Sequence, residues 1–225
     1  AQALSGGGQT FYDSTALHAN SALAITAGTQ IFRDSSQLNV TAAQGVSGGT
    51  QTFYEQSGLN LNFAHAISGG TQNFYGTMPL DVNGAQTISG GTQHFFNEVE
   101  LTVNANWSIS NASLIFEGAS KFRYNASLAL GESVHTEMKH DSELLIFAGQ
   151  VTGDFDLYDN ASARVSHYNA NFNNLNYLAF HNRSELVASE RLASGNFYFH
   201  DNAQLRAEAL QIVGGYYIFD GASVL

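Results

Sequence analysis

The chain has 225 residues, with 22 Gly, a single Pro, no Cys, 12% charged residues and a formal net charge of −11. The lack of Cys excludes disulfides, thiol catalysis and thiolate metal sites, and eight Lys and Arg against nineteen Asp and Glu set the chain against a phosphate backbone, so no nucleic-acid partner is expected. Sixteen Phe and ten Tyr supply too much burial for a disordered segment, and no run approaches the ~18 apolar residues of a membrane-spanning helix.

A repeat opens the chain. SGGGQTFYD from Ser5, TAGTQIFRD from Thr26, SGGTQTFYE from Ser47, SGGTQNFYG from Ser68 and SGGTQHFFN from Ser89 follow one another at a constant 21-residue spacing. Self-similarity at this period predicts a solenoid. Phe11, Phe32, Phe53, Phe74, Phe95 and Phe116 form one apolar column, and Leu17, Leu38, Leu59, Leu80, Leu101 and Phe122 a second. Ala19, Val40, Leu61, Val82, Val103 and Tyr124 form a third, and Ile25, Val46, Ile67, Ile88, Ile109, Leu130 and Val151 a fourth.

The second and third columns are two residues apart, with His18, Asn39, Asn60, Asp81 and Thr102 between them, which is the alternation of a strand with one face buried. A row of 21 residues therefore divides into about three short strands, each pairing with its equivalent in the next coil. The expected fold is all-β, a right-handed parallel β-helix of about 10 to 11 coils and roughly 50 Å long at ~4.8 Å per coil.

Corners need residues that tolerate positive φ. The Gly7, Gly28, Gly49, Gly70 and Gly91 column supplies one, and Asn20, Asn62, Asn83, Asn104 and Asn125, with Thr41 interposed, are expected to supply a left-handed corner as well as a side-chain amide ladder. Gln9, Gln30, Gln51, Gln72 and Gln93 share the parity of the Phe column and predict an inward or rim amide ladder.

After about Ser110 the strict period is lost, but turn-like segments recur as EGAS at Glu117, HDSE at His140, DNAS at Asp159, NRSE at Asn182, DNAQ at Asp201 and DGAS at Asp220. Apolar runs such as LIF, FDLY, LAF, FYF and YYIF precede them. One continuous domain is expected over 1–225, regular over 1–110 and degenerate over 111–225, and its start inside a repeat reads as a fragment of a longer secreted protein.

The rows ISGGTQTFYE, ISGGTQNFYG and ISGGTQHFFN resemble the Gly-Gly-x-Gln repeats in passenger domains of AIDA-type autotransporters, self-associating adhesins of Gram-negative bacteria. The resemblance covers roughly residues 1–110. It implies export through the outer membrane to the cell surface, homotypic self-association or attachment to a host glycan or protein, and heptose added by a glycosyltransferase to repeat hydroxyls, here Ser47, Ser68 and Ser89.

Beside the Phe column, alternation places Tyr12, Arg33, Tyr54, Tyr75 and Phe96 on the outer surface. Tyr12, Tyr54, Tyr75 and Phe96 are the candidate binding stripe, and cross-strand stabilisation by stacked rings is the competing explanation. Asp13, Asp34 and Glu55 share a column that runs on to Gly76 and Asn97 and reads as solvated surface carboxylates. Glu132, Glu137, Asp141 and Glu143 cluster near His135 and Lys139, but a solenoid would spread them along its turns, so no catalytic residue is expected. Of eight His, only His181 and His200 are placed to stack, and neither a metal site nor a cofactor is expected. The sequence thus predicts a non-enzymatic adhesin, with an amyloid-like matrix fibre and a glycan-processing β-helix enzyme as alternatives.

Overall fold

The computed structural model describes residues 2–61, 65–126, 128–131, 133–147, 150–152, 154–165, 170–174, 178–188, 192–193, 196–207 and 216–222. These form a parallel β-solenoid of about 21 residues per coil, with no helix among them. In a regular coil, Leu23–Phe32 bends at Gly28 to cover two faces and Gln37–Val40 covers the third. The next coil divides the same way into Gln44–Val46, Thr50–Tyr54 and Gly58–Leu61. Every pairing is parallel: the first two faces merge into a 17-stranded sheet and the third face stacks ten strands.

Alternation sets what faces inward. Along Gln86–Phe96 the side chains Gln86, Ile88, Gln93 and Phe95 are buried while Thr87 and Ser89 are exposed. The Phe column becomes a continuous ring stack: Phe11, Phe32, Phe53, Phe74, Phe95 and Phe116 lie 4.6–5.1 Å apart at interplanar angles of 10° or less. Beside it runs the Gln column, which the structure places inward. Each Nε2 donates to the Oε1 of the preceding coil, at 2.8, 3.0, 2.7 and 2.9 Å from Gln30 to Gln93. A buried amide is tolerated here because its neighbours above and below supply the partners water would have given.

The corners correct the expectation from the sequence. The Asn column does form its ladder: Thr41 Oγ1 donates to Asn20 Oδ1 at 3.1 Å, Asn104 Nδ2 to Asn83 Oδ1 at 3.0 Å and Asn125 Nδ2 to Asn104 Oδ1 at 2.8 Å. None of Asn20, Asn83, Asn104 and Asn125 has positive φ, however, and Asn62 lies outside the described residues. The left-handed corner is instead the column first read as solvated carboxylates: Asp13, Asp34, Glu55, Gly76, Asn97, Gly118, His140, Asp159, Asn182, Asp201 and Gly221, with φ between 56° and 94°. Gly76 and Asn97 fit that file because Gly and Asn bear this conformation best. The acids also cap the ladder: Asp34 Oδ2 accepts from the Asp13 N–H at 3.3 Å, and Asp159 and Asp201 repeat the contact on His140 and Asn182 at 3.4 and 3.3 Å.

At the Gly-Gly corner the demand is steric as well. A Cβ on Gly49, Gly70 or Gly91 would lie 2.5–2.7 Å from the carbonyl oxygen of the glycine one coil earlier, and all three have φ between 77° and 89°.

Beyond residue 110 the coils vary in length while the faces persist. On the third face, the successive partners Lys121, Glu143, Ser162, Glu185 and Gln204 fall 22, 19, 23 and 19 residues apart, so length changes are absorbed between strands. The inward Gln position becomes Leu114, Thr136, Phe155, Leu178, Phe197 and Tyr217. At this position the interior therefore changes from amides to apolar side chains, Thr136 apart, and one cluster of buried hydrophobic side chains runs from Ala19 to Leu205.

Candidate functional site

An outward file of side chains runs beside the Phe stack. Tyr12 is 53% exposed, and Tyr54, Tyr75 and Phe96 are half-buried, so the structure places all four candidate residues in one column, with Arg33 between Tyr12 and Tyr54. Arg33 lies over the Tyr54 ring at 4.5 Å, Tyr54 stacks on Tyr75 at 5.0 Å and Tyr75 on Phe96 at 4.4 Å. The interplanar angles of 11° and 4° have a chemical consequence: the inner rings spend their π-faces on one another and offer outward only ring edges and phenol hydroxyls. Burial, with Tyr54 and Glu117 nearby, pushes the Tyr75 phenol above its usual range.

The same file continues where the strict repeat does not. Glu117, Lys139, Tyr158, His181, His200 and Asp220 stand in order at the left-handed corners, and strand pairing stacks the coils that carry them. Tyr158 stacks on His181 at 4.7 Å, His181 on His200 at 5.0 Å, and His200 Nδ1 meets Asp220 Oδ2 at 2.7 Å. The His181–His200 stack is the one expected from the sequence. The rest was missed, although the recurring corner segments carried the signal: the residue before each corner belongs to the file.

Of the acids clustered in sequence, the structure gathers one. Asp141 sits on a corner, accepting from Asn160 Nδ2 at 3.0 Å, and Glu143 pairs with Arg164 at 2.5 Å on the third face. Glu132 lies outside the described residues. Glu137 instead meets Asp156, its ladder partner in the next coil. His135 Nε2 contacts Glu137 Oε1 at 2.7 Å while its Nδ1 lies 3.9 Å from Asp156 Oδ2, His181 Nε2 lies 3.5 Å from Asp156 Oδ1, and Lys139 pairs with Glu137.

Electrostatics follow from that packing. Burial raises the Glu137 carboxyl, but hydrogen bonds from Lys139 and His135 outweigh it and hold the group below its usual range; the Glu137 contact holds the Lys139 ammonium above its own. Burial lowers His94 against the opposing pull of Glu117, 3.5 Å away. Chemically this is a set of close polar contacts along one face, centred on the Lys139–Glu137 ion pair. Among the described residues no group of three or more His, Asp and Glu is arranged to hold a metal ion.

Ser47, Ser68 and Ser89 are exposed and stand immediately before the Gly-Gly corners. On the third face lies a separate motif that the sequence did not suggest. Arg123, Arg164 and Arg206 each reach back to the Glu of the preceding coil, Glu100, Glu143 and Glu185, at 3.0, 2.5 and 2.7 Å. Their exposure limits each pair to a modest contribution. No known protein family, characterised protein or solved structure matches the chain.

Proposed function

We propose that the solenoid is a non-enzymatic adhesive rod displayed on a bacterial surface, which binds through its lateral face to further copies of itself or to a host glycan or protein. The observation that carries this reading is the outward file from Tyr12 to Asp220, which repeats one side chain per coil along the rod. Contacts that are weak singly become avid when repeated at a fixed spacing of ~4.8 Å on a rigid body. Because the inner rings are stacked face to face, docking uses hydroxyls and ring edges and not the stacking of a sugar on an open ring.

Sedimentation of the purified chain across a concentration series, with clumping of bacteria that display it, tests the reading. Concentration-dependent dimers and clumping, both weakened in the Tyr54→Phe, Tyr75→Phe double variant that keeps the stack and deletes the hydroxyls, are expected. A monomer at all concentrations with no clumping removes self-association.

The Glu137–Asp156 pair favours a second reading, a glycan-processing enzyme, since paired carboxylates beside Lys and His are the groups that acid–base cleavage of a glycan employs. Release of reducing ends from a panel of polysaccharides, abolished by Glu137→Gln, would replace the adhesive reading with this one.

A further inference from the structure

We infer that the interior of the solenoid binds one water molecule between the indole N–H of Trp107 and the amide oxygen of Gln93, and that this water is the last rung of the glutamine ladder. The ladder has a direction. Each Nε2 donates backwards, so each Oε1 is satisfied by the coil that follows. Gln93 is followed by Leu114, which has nothing to donate, and Gln93 Oε1 is buried without a partner among the described residues.

The complementary orphan lies close by. Trp107, 4% exposed, buries an Nε1–H that likewise has no partner among the described residues. Trp107 and Gln93 both line one cavity of about 20 Å³, together with Gln72, Phe95 and Leu101. A space of roughly 10 to 15 Å³ suffices for a single water, and a water held inside a protein needs two to four polar partners. Here it accepts from Trp107 Nε1, donates to Gln93 Oε1, and has the second lone pair of Gln72 Oε1, whose first is taken by Gln93 Nε2, for its other hydrogen. A donor and an acceptor each stripped of water and left unpaired would both forfeit a hydrogen bond they make in the unfolded chain. One trapped water restores both.

The site falls where the amide-lined interior gives way to the apolar one. The water thereby joins the second face of one coil to the first face of the next at the seam between the regular and irregular halves.

A crystal structure of the chain at a resolution that defines ordered solvent, paired with detection of magnetisation transfer from water to the indole proton, tests the inference. Trp107 is the only Trp, so the indole signal is unambiguous. A solvent peak within about 3.3 Å of both Trp107 Nε1 and Gln93 Oε1 and a transfer signal to the indole proton are expected, with both lost in Gln93→Met, whose thioether fills the cavity. An empty cavity in the parent, or an indole bonded directly to a protein acceptor, would overturn it. The parent protein supplies the deciding observation, so the inference stands or falls even where Gln93→Met fails to fold.

Discussion

Some single residues in this fold matter for the backbone conformation they adopt and not for their side chains. Gly70 has φ +81° and no room for a Cβ beside the Gly49 carbonyl, so Gly70→Ala should lower stability by about 2 kcal/mol or more, read as a shifted urea midpoint, whereas Ser68→Ala two residues away should stay within about 0.5 kcal/mol. Glu55 holds a left-handed position, at φ 56°, that its column otherwise fills mostly with Asp, Asn and Gly. Glu55→Asn should therefore raise stability by up to about 1 kcal/mol; a lower midpoint would mean that the Glu side chain makes a compensating contact. The sequence showed this column but not its meaning, because the carboxylates of Asp and Glu pointed to charge, whereas Gly, Asn and His at the same place share with them only the φ they adopt. His65 is the other informative residue. It sits fully inside between Gln44 and Gln86, with neither ring nitrogen bonded to a described residue, and burial lowers its pKa to about 4. The unfolded chain, near 6.5, binds the proton more readily, so stability is complete above pH 6.5 and falls as pH drops towards 4, by about 3 kcal/mol over the window. His65→Gln, which restores the residue type of its column neighbours, should flatten that part of the stability profile; an unchanged slope would place the acid sensitivity elsewhere.

Elements here are ladders, and a ladder fails differently from an isolated contact. Gln72→Leu strands two groups at once, Gln51 Oε1 without its donor and Gln93 Nε2 without its acceptor, and should cost about 2 to 6 kcal/mol. Gln9→Leu at the outer end strands only the amide of Gln30 and should cost less than half as much, a difference that paired thermal melts would resolve. Phe53→Ala opens a gap in the middle of the ring stack and should cost about 3 to 5 kcal/mol. The apolar ladders were legible because Phe, Leu and Ile recur at one spacing with polar residues between them. The placement of Gln was left open at that level, since a buried amide and a rim amide have the same parity; the near-complete burial of Gln30, Gln51, Gln72 and Gln93 decides it. The outward file was legible as far as Phe96. It was lost at Glu117 and Lys139, where the aromatic character stops and the coil length changes, although the left-handed corners carry its register through.

At the scale of the molecule, coil length is free to vary and strand register is not. Spacings of 19 to 23 residues on the third face still bring Phe122, Leu144, Ala163, Leu186 and Leu205 into one buried column. The central claim is that the chain is a stack of interchangeable coils, each contacting its immediate neighbours, as in other solenoids. The most direct test removes residues 47–88, two whole coils, joining Val46 to Ser89 in the phase that Val46 and Ile88 already share. Small-angle scattering of that variant should show a folded rod shorter by about 10 Å at ~4.8 Å per coil. A variant that is unfolded, or folded with an unchanged maximum dimension, would contradict the coil assignment from which the ladders, the outward file and the proposed adhesive surface all derive.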